Sequence, residues 1–207
     1  MILFLDGSFT QTCDSGRCLE SIKECVQKEE IISLTIKEQM EWNQVYRYLE
    51  DAGAIVLAAD VHMNSVSACV LSFLEQIEDA VIGGESIGGK FYAVLYTELY
   101  EGEQTSIAME ILKNFCIHAN IMWGRGLGIG GNGMKPTVHR RNLWQWFRKD
   151  TSDFREKPLQ EQAFFIKEKM QGTDRYINPQ KFSRKKYMRK INHDSKKNSL
   201  KKIAKSL

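Results

Sequence analysis

The sequence of 207 residues predicts an α/β domain in which a parallel sheet lies between two layers of helices. Three observations predict it. Short apolar runs at 2–6 (ILFLD) and 54–59 (AIVLAA) lack polar alternation, the pattern of strands buried on both faces. The stretches between such runs carry apolar residues at helical spacing. The two kinds of segment alternate through the first 125 residues as five strand–helix units, which calls for a sheet covered on both faces.

Taken in order, residues 2–6 form the first strand and stop at Gly7-Ser8. Residues 16–29 place apolar positions at 18, 19, 22, 25 and 26, a helix. Residues 30–36 (EIISLTI) are β-branched and form the second strand. Residues 38–52 are helical, with Met40, Val45, Tyr48 and Leu49 inward. Residues 54–59 form the third strand. A helix over 65–79 buries Val66, Val70, Phe73, Leu74 and Ile77. Residues 90–97 (KFYAVLYT) form the fourth strand, and a helix over 104–119 turns Ile107, Ile111, Leu112, Phe115 and Cys116 inward. Residues 120–124 make a short fifth strand. The six glycines of 124–134 (GRGLGIGGNGM) read as a flexible loop at the sheet edge, bordering a pocket or a dimer contact. Their spacing is not that of a dinucleotide-binding turn. Residues 138–149 and 158–171 read as helices. Right-handed crossovers leave the strand order 2-1-3-4-5 as the compact solution, with a ligand at the switch point between the first and third strands. The resulting division is a domain over 1–135, C-terminal helices over 136–180 packed on it or on a dimer partner, and a basic tail over 181–207.

Charge is unevenly spread. Residues 181–207 hold 11 Lys/Arg and one acid, Asp194, while the remainder holds 18 basic and 25 acidic residues. The tail is solvated, docked on a dimer or on the acidic body, or attracted to acidic lipid or RNA. Trp144, Trp146 and Phe147 lie among Arg140, Arg141 and Arg148; such a face packs on its own domain or a twin subunit more often than on nucleic acid. No apolar run reaches the roughly 18 residues that span a bilayer, and the start has no basic region of a signal peptide. The five cysteines contain no CxxC pair, which points to reduced thiols in the cytoplasm. Cys18 and Cys25 share a helix face and are expected in the core. The four histidines make no ligand spacing, so no metal is expected.

The expected topology gathers three bends at one edge. The first, Gly7 to Gly16, offers hydroxyls and backbone N–H groups ahead of a helix N-terminus, a setting for phosphate and equally for ordinary capping. The second, Asp60-Val61-His62-Met63-Asn64-Ser65, frames a flat heterocycle or simply caps the next helix. The third, Thr97-Glu98-Leu99-Tyr100-Glu101-Gly102-Glu103, supplies Leu99 or Tyr100 to cover a ring, and its three carboxylates exclude phosphate.

The stretch 54–80 (AIVLAADVHMNSVSACVLSFLEQIEDA) resembles the third strand–helix unit of the NAD(P)H-dependent FMN reductases, a flavodoxin-like family. Asn64, Ser65, Ser67, Phe73 and Leu74 match its pattern. Asp60 stands where the family has proline and His62 where it has tyrosine. The opening ILFLDGS and the segment 114–134 (NFCIHANIMWGRGLGIGGNGM) resemble the family's first strand and its fifth-strand region, so the likeness covers residues 1–135. The resemblance implies a flavodoxin-like three-layer sandwich with FMN bound non-covalently, NAD(P)H as a transient hydride donor, a small-molecule electron acceptor and a homodimer. Carried over by position, Ser8, Thr10, Thr12 and Ser15 contact the phosphate. Val61, His62, Met63 and Asn64 line the ring, with Thr97, Glu98 and Tyr100, and His62 is the side chain to test as a proton donor. The chain departs from the family at Thr10, where arginine is common, and at Asp14-Ser15, where Asn-Thr is common. It also lacks the usual glycines in the third bend. These departures favour the alternative of a flavodoxin-like binding or regulatory domain that has lost FMN.

Overall fold

The computed structural model describes residues 1–8, 14–37, 39–131, 154–179, 184–185 and 188–189, with 14–17 described by backbone alone. The elements are β1 (Ile2–Gly7), α1 (Asp14–Cys25), β2 (Ile31–Thr35), α2 (Trp42–Asp51), β3 (Ala54–Val61), α3 (Ala68–Ile82) and β4 (Lys90–Thr97). A 3-10 turn (Gly102–Thr105) then leads into α4 (Ser106–His118), followed by β5 (Met122–Ile129), α5 (Glu156–Lys167) and β6 (Arg175–Ile177). All six strands are parallel, in the order β2-β1-β3-β4-β5-β6. The expected five-strand order holds, with one strand added at its far edge.

The alternation of strand side chains divides the core into two layers. Leu3, Leu5, Ile55, Leu57, Phe91 and Leu95 face α2, α3 and α4, meeting Val45, Leu49, Phe73, Leu74, Leu112 and Phe115. Ile2, Phe4, Val56, Tyr92, Val94 and Tyr96 face α1 and α5, meeting Cys18, Leu19, Ile22, Leu159, Ala163 and Ile166. At roughly 1.5–3 kcal/mol for each large apolar side chain buried, these layers supply the main drive for folding.

Four expectations need correcting. First, the fifth strand is Met122–Ile129, so the glycine run begins as a buried strand and not as a loop. Its glycines are packing sites. A Cβ at Gly124 would strike the Tyr92 ring, one at Gly126 the Met109 sulfur, and one at Gly128 the Thr105 hydroxyl and the Tyr176 ring. A register shift at Gly124 pairs Phe91 with Trp123 but Tyr92 with Arg125. Second, residues 175–177, in a region read as helical extension, form strand β6 on β5. Third, Cys25 is exposed while Cys18 is buried, because α1 ends at Cys25. Fourth, Ile107 is exposed, and Ala108 and Met109 take the inward positions of α4. The helix expected at 138–149 lies outside the described residues.

Polar staples fasten the last elements to the sheet. Arg125, buried on β5, donates from Nη2 to Glu161 Oε1 at 2.8 Å and from Nε to the Thr173 carbonyl at 3.0 Å. Its guanidinium lies 4.3 Å from the Phe165 ring centroid. Arg175 donates to the same Glu161 carboxylate. Asp174 accepts from Trp123 Nε1 at 3.0 Å and from the Gly126 N–H at 2.8 Å, and pairs with Lys113 Nζ at 2.6 Å. Among the described residues no helix is long and apolar enough to cross a membrane.

Candidate functional site at the strand carboxyl ends

Strand register decides which bends share an edge. Gly7, the last residue of β1, pairs with Ala59, and Ala59 pairs with Leu95. The β3–β4 ladder runs two residues further, to Val61 with Thr97. The bends after β1, β3 and β4 therefore leave the sheet side by side. A side chain at Gly7 would crowd α3, because its Cβ would stand 2.6 Å from Val70 Cγ2.

Of the first bend, Ser8 is described. Its N–H donates to Asp6 Oδ1 at 3.0 Å, which turns the chain away from the strand. Thr10 and Thr12 lie outside the described residues. Ser15 falls in the first turn of α1, and its side chain also lies outside them.

The second bend is shorter than expected, because β3 absorbs Asp60 and Val61. Val61 is buried in the core, so it offers a ligand only its backbone. His62 and Ser65 exchange two backbone hydrogen bonds, each 3.0 Å, around Met63 and Asn64. Both central residues have positive φ, 50° and 67°, the pattern of a type I′ turn. Asparagine accepts this conformation easily; methionine does so at roughly 1–2 kcal/mol. Met63 is 99% exposed, so packing returns none of that cost. His62 and Asn64 are exposed as well. Ser67 then caps α3, its Oγ accepting from the Val70 N–H at 3.2 Å.

The third bend is held by its neighbours. Thr97 is buried, and its Oγ1 accepts from the Leu99 N–H at 3.2 Å, so its hydroxyl serves the turn. Tyr100 donates its hydroxyl to the Pro179 carbonyl at 3.4 Å, and the Gly102 N–H donates to Asn178 Oδ1 at 2.6 Å. Glu101 pairs with Arg184 at 2.7 Å. Glu98 is exposed, and Leu99 remains 51% exposed beside it. Leu99 is among the residues the sequence marks for this bend; Asn178, Pro179 and Arg184 are not. Nothing in their local pattern signals contact with a bend some 80 residues earlier.

Beneath this edge, on the α1/α5 side, Asp60 pairs in register with Tyr96, and both are buried. The Tyr96 hydroxyl is fully buried beside the Cys18 thiol. Burial first, then the nearby Cys18 thiol and the Asp60 carboxylate, hold its pKa well above the usual phenol range, while Arg155 opposes them. The proline expected from the family resemblance at Asp60 is thus replaced by a carboxylate set inside the fold. Among the described residues no cluster of metal-binding side chains occurs.

No protein-family profile and no curated protein matches this sequence. Solved structures do match its shape. An FMN-dependent NADH-azoreductase from Bacillus anthracis, solved with FMN, superposes with a TM-score of 0.58 at 11% identity, covering 80% of this chain and 99% of that one. An NADH:FMN oxidoreductase in its apo form gives 0.56 at 9% identity, covering 83% and 90%. The Trp repressor binding protein of Bacillus subtilis gives 0.53 at 9% identity, covering 64% and 85%. Strand order, crossover layers and these superpositions agree: the chain has the flavodoxin-like fold.

Proposed function

We propose that the protein is an FMN-dependent NAD(P)H oxidoreductase that passes hydride through a flavin at the β1–β3–β4 edge to a small-molecule acceptor. One observation carries the reading. Two adjoining bends present large apolar side chains, Met63 and Leu99, to solvent, and Met63 does so from a strained backbone. Strain that packing does not compensate is characteristic of residues that serve a ligand, and an apolar mouth suits a flat ring system. The solved FMN-dependent reductase of the same fold supports the choice of cofactor.

The residues described fit the ring half of such a ligand. Met63 and Asn64 on one side, and Glu98, Leu99 and Tyr100 on the other, would hold the isoalloxazine. The backbone of Val61 and Thr97 would form its floor. Ser8, with Thr10, Thr12 and Ser15, would hold the phosphate. FMN supplies two-electron redox chemistry when bound. The chain's part is to orient the ring, exclude water from its buried face, and offer His62 as a proton source at the rim.

A specific observation favours a second reading, a flavodoxin-like binding domain without flavin. Asp60 is a buried carboxylate at the switch point, and the exposed Glu98 adds charge of the same sign nearby. Such a field opposes an anionic cofactor. Titration with FMN, followed by flavin fluorescence and by calorimetry, separates the two. Saturable one-to-one quenching, with reduction of the bound flavin by NADH or NADPH, is the expected result. Absence of binding across the titration overturns the oxidoreductase reading and leaves the second.

A further inference from the structure

Among the described residues the sheet ends in two edge strands of different character, β6 and β2. β6 is three residues long and carries Arg175, which is bonded to Glu161. β2 is five residues long, Ile31-Ile32-Ser33-Leu34-Thr35, with no charge and no proline. Edge strands of soluble proteins normally carry such features, because an open ladder of N–H and C=O groups recruits another strand. Within its five residues β2 carries neither.

Backbone parity shows which groups are open. The Ile2 N–H donates to the Glu30 carbonyl at 2.8 Å, and the Ile36 N–H donates to the Asp6 carbonyl at 2.9 Å. Even-numbered residues of this segment thus turn their backbone groups toward β1. The N–H and C=O groups of Ile31, Ser33 and Thr35 point the other way, off the end of the sheet. On the α2 face, Ile32 and Leu34 are only half buried. A groove of about 280 Å³, lined by Ser33, Thr35, Lys37, Met40, Gln44 and Tyr48 among others, opens beside them.

We infer that β2 pairs antiparallel with β2 of a second copy of this chain, across a two-fold axis at Ser33. The register follows from the parity. Only Ile31, Ser33 and Thr35 can exchange ladder bonds, and a two-fold at Ser33 engages all three, Ser33 with its own copy and Ile31 with Thr35 of the other. Just beyond the strand ends, where the Glu29 N–H turns back to the Val26 carbonyl at 2.9 Å, the same register brings Glu29 close to Lys37 of the second copy, twice by symmetry. Both residues are exposed, and their charges are opposite. Ile32 then meets Leu34 of the second copy, and their half-exposed side chains cover each other above the groove. The two six-stranded sheets become one continuous sheet. The partner is a second copy because one register satisfies the ladder, the apolar pair and the charge pair together.

The test is sedimentation velocity across a concentration series on the full chain. A reversible monomer–dimer equilibrium is expected. Ser33→Pro removes an N–H that makes no bond to β1, so the fold is kept while the ladder across the axis is broken; the dimer should be lost. Lys37→Glu places like charges opposite Glu29 on a fully solvated surface and should raise the dimer dissociation constant about tenfold, an effect that shrinks with added salt. The double variant Glu29→Lys/Lys37→Glu should restore wild-type association, a result that a merely disturbed fold cannot give. A wild-type chain that stays monomeric throughout overturns the inference. So does a dimer indifferent to both Ser33→Pro and Lys37→Glu, since that dimer uses another face. Neither outcome bears on flavin binding, which the titration above decides.

Discussion

The bends after β3 and β4 stand next to each other yet are held in opposite ways. The bend at 62–65 closes on itself. Two backbone bonds between His62 and Ser65 fix it, and the Ser67 cap passes it on to α3. Its conformation is encoded within a few residues. The bend at 99–102 is fixed from outside, by Asn178, Pro179 and Arg184. It depends on the chain returning from α5 through β6 to the right place. One wall of the candidate site is therefore a local property of the sequence, and the other is a property of the finished fold. Only the second should respond to changes far from the site.

The strongest way to break the pair apart is to cut the staple that carries the C-terminal segment. Asp174→Ala leaves Trp123 Nε1 and the Gly126 N–H without their acceptor in a mostly buried setting, and leaves Lys113 with Glu110 as its remaining partner. The expected loss is about 3 kcal/mol of stability, read from urea unfolding. Native-state hydrogen exchange should then show the amides of 99–102 opening sooner, with the Ser65 amide at its wild-type rate. Equal loosening of both bends would mean that the bend at 62–65 is not autonomous.

The same contrast explains what was legible in the sequence. β4 was read at its observed limits, Lys90–Thr97, and the sheet order followed from the alternation of elements, because continuous apolar runs and helical periodicity are local signals. The second bend was located, but β3 took in Asp60 and Val61, since pairing with Tyr96 and Thr97 outweighed the polar character of Asp60. The fifth strand was cut short at its glycines. Propensity disfavours glycine in a strand, whereas Gly126 and Gly128 are there because Met109, Thr105 and Tyr176 leave no room for a side chain. β6 and the Asn178–Pro179 contact rest on partners far away along the chain, and no window of local pattern contains them.

A smaller effect sharpens the comparison from the side of the autonomous bend. Met63 holds φ at 50° with its side chain fully in solvent. Met63→Gly relieves that strain and should stabilise the protein by about 1 kcal/mol. It should at the same time weaken FMN binding, because the exposed thioether is lost from the ring wall. The paired measurement is thermal unfolding and FMN titration on one preparation. A variant that gains stability and keeps full affinity would show that Met63 does not touch the ligand.

A pH-dependent effect separates the two helical layers behind the bends. Burial pushes the Cys116 thiol, in the apolar α2–α4 layer, up to about 12. In the unfolded chain the thiol returns to about 8.5. The folded state thus holds a proton that the unfolded state releases in between. The stability linked to this thiol is fully present below the unfolded value and is lost as pH rises toward about 12. Burial likewise raises Tyr92 to about 12, but Tyr92 lies in the opposite layer, where its hydroxyl donates to the Met170 and Phe165 carbonyls at 2.9 and 3.1 Å. Cys116→Ala should be less stable than wild type at neutral pH yet decline less steeply between pH values near 8 and near 11, with the urea midpoint as the measure. Tyr92→Phe should also flatten the decline, and of the two variants it alone should loosen the turn at Met170 in hydrogen exchange, because the Tyr92 hydroxyl, unlike the Cys116 thiol, bonds the C-terminal segment on which the bend at 99–102 depends.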